Sequence, residues 1–372
     1  MLRRVAPAVG LFFLAPLVAE YLLGNIPPSE LAGVLILAPM YGGGALLIRE
    51  VARRAGRGWP TILVLGAAYG LLEAGLLDQS LFNPSFDEGY DFQSVAHVPV
   101  LGISAHYALT FVVGHAVWSI GVPVLLVESI VPARRTRPWL GVPGLAVTGV
   151  LFVVGSAVIA ADHRTTFVAA VPQVAGASAV IVALIGVAFA AGRRSAPPAH
   201  PSSPGAGSRT DSGVNSGTDS GVGSGEDSGV GSGVGLGAGS GGGVRRAPGP
   251  WLVGPAAFVT ASVFAARPES WWGVVIGAGL IALTAVVVAR WSGRAGWGDA
   301  HRLALGGGAL LTYAWLGFLL LYFEGNAGTA NLLAQVALVL GALALLLLAA
   351  RRVAAARLTA PARTPPESPS LR

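Results

Sequence analysis

Residues 31–57 read LAGVLILAPMYGGGALLIREVARRAGR. Leu31 to Ile48 carry no charge, and Arg49, Arg53, Arg54 and Arg57 then follow in quick succession. As a helix the uncharged stretch rises about 27 Å at 1.5 Å per residue. That is close to the roughly 30 Å hydrocarbon core of a bilayer. An apolar run closed by arginines predicts a membrane span that ends in the cytoplasm, because basic residues are retained on that side.

The same pattern extends outward in both directions. Ten apolar runs predict spans at 5–24, 31–49, 60–79, 104–128, 140–160, 167–191, 250–266, 271–290, 303–323 and 330–350. The chain has 24 Arg and no Lys. With a cytoplasmic N-terminus, 22 of the 24 lie in cytoplasmic segments and only Arg164 and Arg267 lie outside. The reading is an all-α polytopic bundle of about ten spans in the cell membrane, with both termini cytoplasmic. Met1-Leu2-Arg3-Arg4 precedes an apolar run with no evident cleavage site, which predicts a retained first helix.

Composition agrees. Hydrophobic residues make up 53% of the chain and charged residues 11%, against about 25% charged in soluble domains. The net charge of +6 does not point to nucleic acid, since the arginines sit in short gaps beside apolar helices. Their expected partners are the bilayer and its anionic headgroups. The absence of Cys excludes disulfides, thiolate metal sites and a Cys nucleophile.

Residues 195–249 are rich in Gly, Ser and Pro. Asp211-Ser212-Gly213-Val214 recurs at Asp219 and again at Asp227, a period of eight. Calcium-binding repeats have a period of nine and an extracellular setting, so a disordered cytoplasmic linker is predicted. It separates a six-span module, 1–194, from a four-span module, 250–357, that is poor in membrane charges. A Pro-rich tail, 358–372, is also expected to be disordered.

Ionisable side chains at membrane depth cost about 2.5–3.5 kcal/mol on insertion scales and each needs a reason. Glu73 in span three and His115 in span four are the candidate pair. A carboxylate and an imidazole on neighbouring helices can share a proton, hold a water or bind a divalent metal. Tyr69 and Glu73 share one face of span three, and Phe111, His115 and Ser119 share one face of span four. Glu20 near the outer end of span one, with Asp78 and His106 at the outer boundary, completes the polar set. His106 is half a turn out of phase with His115, so one regular helix cannot use both as ligands of one metal. Glu50 and Glu128 are expected at the cytoplasmic interface.

In the outer loop 80–103, aromatics alternate with Asp87, Glu88 and Asp91. Such a loop can form a lid, a cation site or an interfacial belt. Tyr41-Gly42-Gly43-Gly44 lies inside a span and predicts close helix packing rather than a phosphate loop. Pro16, Pro39 and Pro123 are expected to kink their helices.

Glu73 in one helix, followed by Phe111-Val112-Val113-Gly114-His115 in the next, resembles the first two motifs of the CPBP (CAAX-type) intramembrane proteases. That resemblance spans about residues 60–128 and implies Glu73 and His115 as catalytic residues that activate a water. Ala74 and Asp78 stand where the family pattern has its second Glu and its Arg, and no later span carries its third His motif. Three functions therefore remain open: a proton-active or transport site, a hydrolytic membrane enzyme, and a non-catalytic scaffold.

Overall fold

The computed structural model describes residues 2–86, 90–191 and 246–359. The expected linker (apart from residues 246–249) and the tail beyond Thr359 lie outside the described residues, as do Asp87 and Glu88.

The chain forms a helical bundle. In order, its helices are α1 (Leu2–Pro16), α2 (Val34–Arg54), α3 (Trp59–Leu72), α4 (Ala105–Gly114), α5 (Val122–Ile130), α6 (Val142–His163) and α7 (Val171–Ala191). After the linker come α8 (Pro250–Ala265), α9 (Trp271–Ser292), α10 (Asp299–Phe323) and α11 (Thr329–Leu358). Because α4 and α5 form one rod, these helices make ten rods that match the ten expected runs. Among the described residues eight are long and apolar enough to span a bilayer, while Val5–Tyr21 and Pro250–Ala265 are shorter. The segment between α3 and α4 carries a small antiparallel hairpin, β1 (His97–Val98) with β2 (Ile103–Ser104), in which His97 pairs with Ser104.

Three rods contain a π-helical turn. These are Leu17–Tyr21 after α1, Glu73–Leu77 after α3, and His115–Gly121 between α4 and α5. Two of the three have a proline beside them. Pro16 and Pro123 have no N–H to offer the carbonyl four residues back, so the helix widens there. The expected kinks at these prolines are thus seen as wide turns.

Burial sorts the helices into centre and periphery. Of the α3 span 67% is buried inside the protein, against 11% for α7, α9 and α11. The peripheral helices present Val, Leu and Ile outward, as lipid-facing surfaces do. The helices on the two sides of the linker form one compact unit. Val18, Trp118, Val122 and Leu126 share a core with Leu303, Leu310, Tyr313 and Val353.

Glycine sets how closely the central helices approach. A Cβ on Gly42 would lie 1.9 Å from the Phe12 carbonyl oxygen, the carbonyl that Pro16 cannot bond. The Tyr41-Gly42-Gly43-Gly44 stretch thus serves close packing of α2 on several neighbours: Gly42 faces α1, Gly43 faces Phe152 of α6, and Gly44 faces Tyr69 of α3. Backbone cannot yield as a flexible side chain can, so Gly42→Ala is expected to cost at least about 1–3 kcal/mol. A lower thermal unfolding midpoint in detergent checks this; an unchanged midpoint would mean that α1 and α2 are free to separate.

Candidate functional site

The three π-turns converge, and each carries one ionisable residue of the polar set: Glu20, Glu73 and His115. π-bulges occur frequently at functional sites because the widened turn re-aims side chains and frees backbone groups. Gly70 prepares the meeting of α3 with α4: a Cβ there would stand 2.8 Å from the His115 Cβ.

Glu73 is 5% exposed. Its Oε2 lies 2.8 Å from His115 Nε2, and its Oε1 accepts a 2.8 Å hydrogen bond from the Tyr41 hydroxyl. The Nε2 contact is close but off the N–H axis, so it is an electrostatic contact rather than a linear hydrogen bond. The other imidazole nitrogen, Nδ1, lies 2.7 Å from the Phe111 carbonyl oxygen. Tyr41 and Tyr69 enclose the imidazole, with ring centroids 6.0 and 5.9 Å away.

The Tyr41 hydroxyl faces Glu20 as well as Glu73. Glu20 in turn accepts a 2.8 Å hydrogen bond from Asn25 Nδ2. The groups therefore run Glu20, Tyr41, Glu73, His115 across four rods. The Tyr69 hydroxyl is buried with no hydrogen-bond partner among the described residues. Asp78 is buried just past the π-turn of Glu73, and its Oδ1 accepts the Ser80 N–H at 2.9 Å. Ser119 is buried one turn beyond His115.

His106 does not join this cluster; it packs beside Arg267 at the start of α4. Asp91 accepts the Gln93 N–H and begins a short 3-10 turn, Phe92–Ser94. Among the described residues no group of three or more His, Asp and Glu is arranged to hold a metal ion. Sequence reading missed Tyr41 as a member of the site. A tyrosine in mid-span was a signal, but it was absorbed by the adjacent glycines.

A second polar cluster lies at the far end of α2. Glu50 and Glu128, expected at the interface, are instead buried, 0% and 3% exposed. Arg49 bonds Glu50 at 2.7 Å and Glu128 at 3.0 Å, and Arg53 bonds Glu128 at 2.7 Å. Arg49 Nη2 also donates to the carbonyls of Arg135 and Arg137, and its guanidinium sits 3.3 Å from the Trp139 ring centroid. The loop between α5 and α6 folds over α2 and shields these charges within the protein. Each of the two carboxylates pairs with two arginines, since the partly exposed Arg54 also lies 3.6 Å from Glu50, and the donors of Arg49 and Arg53 have acceptors. This cluster is electrostatically closed, whereas the Glu73 cluster is not.

Apolar rods of span length, lipid-type side chains outside and ionisable groups sequestered inside define an integral, multi-pass membrane protein. The chain belongs to an uncharacterized membrane protein family, whose model matches residues 10–203. That interval holds Glu20, Tyr41, Tyr69, Glu73 and His115. No curated protein matches the chain, and no solved structure does.

Proposed function

We propose that the Glu20–Tyr41–Glu73–His115 chain moves protons, as the proton-coupled site of a membrane transporter. One observation carries the reading. A carbonyl oxygen only accepts, so the 2.7 Å contact with Phe111 puts a proton on His115 Nδ1. The facing atoms, Nε2 and Glu73 Oε2, are 2.8 Å apart. Two lone pairs repel at that distance and two protons clash, so the pair holds one proton between them. At that separation the proton can pass between the two atoms once the N–H turns onto the line joining them. Tyr41, able both to accept and to donate, extends the path to Glu20.

The test is a pH gradient imposed across proteoliposomes and followed by an internal pH-sensitive dye. Protein-containing vesicles should relax faster than empty ones; equal rates defeat the proposal. Tyr41→Phe breaks the link to Glu20 while leaving the Glu73–His115 pair. Its expected effect is a flux about 10-fold lower, since a water can replace a lost hydroxyl only in part.

A hydrolytic enzyme of the CPBP type would use the same pair, and the Glu73–His115 contact favours it as the second reading. Ala74, where that family has a carboxylate, is buried in an apolar cluster with Leu71, Leu81 and Phe82. Turnover of a fluorogenic membrane peptide, lost in Glu73→Gln, would establish this reading over transport. A scaffold would show neither activity. From the arginine asymmetry we further infer that both termini face the cytoplasm of the cell membrane, with the arginines against anionic headgroups.

A further inference from the structure

We infer that Arg267 and His106 form a binding site for one small anionic group, at the end of the bundle where α4 begins and α8 ends. The site is independent of the proton chain. Arg267 follows α8 and is buried, 6% exposed. Its Nη1 donates to the Phe264 carbonyl at 2.5 Å. Its Nη2 donates to the His106 carbonyl at 3.1 Å and to Thr110 Oγ1 at 2.5 Å. The guanidinium also lies 4.0 Å from the Phe264 ring centroid. All these partners are neutral. Among the described residues no carboxylate lies within ion-pair distance of Arg267, in contrast to Arg49 and Arg53.

The nearest acid in sequence is already engaged. Glu269 accepts from Tyr107 at 2.8 Å and from the Tyr90 hydroxyl. The carbonyl end of α8 supplies the equivalent of about half a negative charge, which leaves a buried cation incompletely balanced. Burial lowers the Arg267 pKa to about 10, so the group is still charged at neutral pH. An uncompensated buried charge costs several kcal/mol.

Two buried ring or guanidine nitrogens are also without partners: Arg267 Nε and His106 Nδ1. Both residues are more than nine-tenths buried, and both atoms face glycines one turn apart on α9, where Leu109 and the Pro268 backbone also pack. A Cβ on Gly277 would stand 3.1 Å from Arg267 Nε, and one on Gly273 would stand 3.2 Å from His106 Nδ1. An unused Arg267 Nε–H and an unpartnered imidazole nitrogen beside an unbalanced cation are the chemistry that takes a halide, a carboxylate or a phosphate oxygen. The anionic group comes either from solution or from a lipid headgroup, and the experiment separates the two.

The full chain is placed in phosphatidylcholine nanodiscs in gluconate buffer, and chloride or inorganic phosphate is added at constant ionic strength. A parallel sample uses phosphatidylglycerol nanodiscs without added anion. The unfolding midpoint should rise saturably by about 5 °C in at least one arm, and Arg267→Gln should remove the rise. A response to the salts identifies a free anion; a response to phosphatidylglycerol alone identifies a headgroup. No response in any arm, or the same response in Arg267→Gln, overturns the proposal. If that variant fails to fold, Gly277→Ala tests the same point by placing a methyl over the Nε donor. Retention of the full rise in that variant would equally sink the site.

Discussion

Glu73→Gln is expected to lower the protein-dependent relaxation of a pH gradient by roughly 100-fold or more, the contribution typical of a positioned proton-transfer group. The substitution keeps the size of the side chain, and its amide oxygen can still accept from Tyr41, which lies 2.8 Å away. What it removes is the capacity to hold a proton reversibly opposite His115 Nε2. The imidazole would then face an amide and retain a single tautomer, fixed by its Nδ1 contact with Phe111. The proton would have nowhere to go. Fold and abundance should be close to wild type, which separates this loss from unfolding. His115→Ala should give a loss of similar size, and the double variant should be little worse than either, because the two residues act as one unit. Flux unchanged in both single variants would refute the relay; loss of stability with no flux to lose would favour the scaffold.

Arg49→Met should produce the largest loss of stability, about 3–5 kcal/mol, because removing one partner of a buried ionic network strands the rest. Methionine approximates the length of the stem but brings no donors. Glu50, 0% exposed, would lose its 2.7 Å contact, Glu128 would keep only Arg53, and the carbonyls of Arg135 and Arg137 would lose a donor. The loop between α5 and α6 should loosen at Arg135 and Arg137, while Glu50 and Arg54 still hold Trp139 and Leu140 against α2. The unfolding midpoint in detergent is expected to fall by roughly 6–15 °C. A fall of less than about 2 °C would show that water reaches these charges and that the cluster is not closed. Proton flux per folded molecule should be unaffected, because Arg49 lies eight residues, about 12 Å along the helix, from Tyr41.

These two clusters use similar residue types for different ends. Around Arg49 each buried charge faces an opposite one and the donors have acceptors, so the network holds one arrangement. Around Glu73 a carboxylate oxygen and an imidazole nitrogen face each other at 2.8 Å, a tyrosine faces two carboxylates, and the Tyr69 hydroxyl has no partner among the described residues. An under-supplied network in a buried place has several arrangements of similar energy, which is what proton movement requires.

By itself the amino-acid order determined the bundle. A backbone in hydrocarbon must satisfy its own hydrogen bonds, so each uncharged run of span length can only be a helix, and all ten runs have helices. Glu73 and His115 stood out for the same reason, as ionisable groups where lipid-facing ones were expected. Only the tertiary structure decided what those groups meet. Glu50 and Glu128 looked interfacial because hydropathy places a residue by its depth along one helix, and no single helix reveals the loop that covers it. Tyr41, Glu20 and the unbalanced Arg267 acquired their meaning from neighbours on other rods. Pro16 and Pro123 marked two of the wide turns, but the turn at Glu73, and which side chains the three turns aim at one another, were not legible. A widened turn is locally unfavourable and persists only because contacts distant in sequence stabilise it. Depth in the bilayer is a sum over nearby residues, whereas rotation about a helix axis and the choice of neighbour are set by the whole bundle.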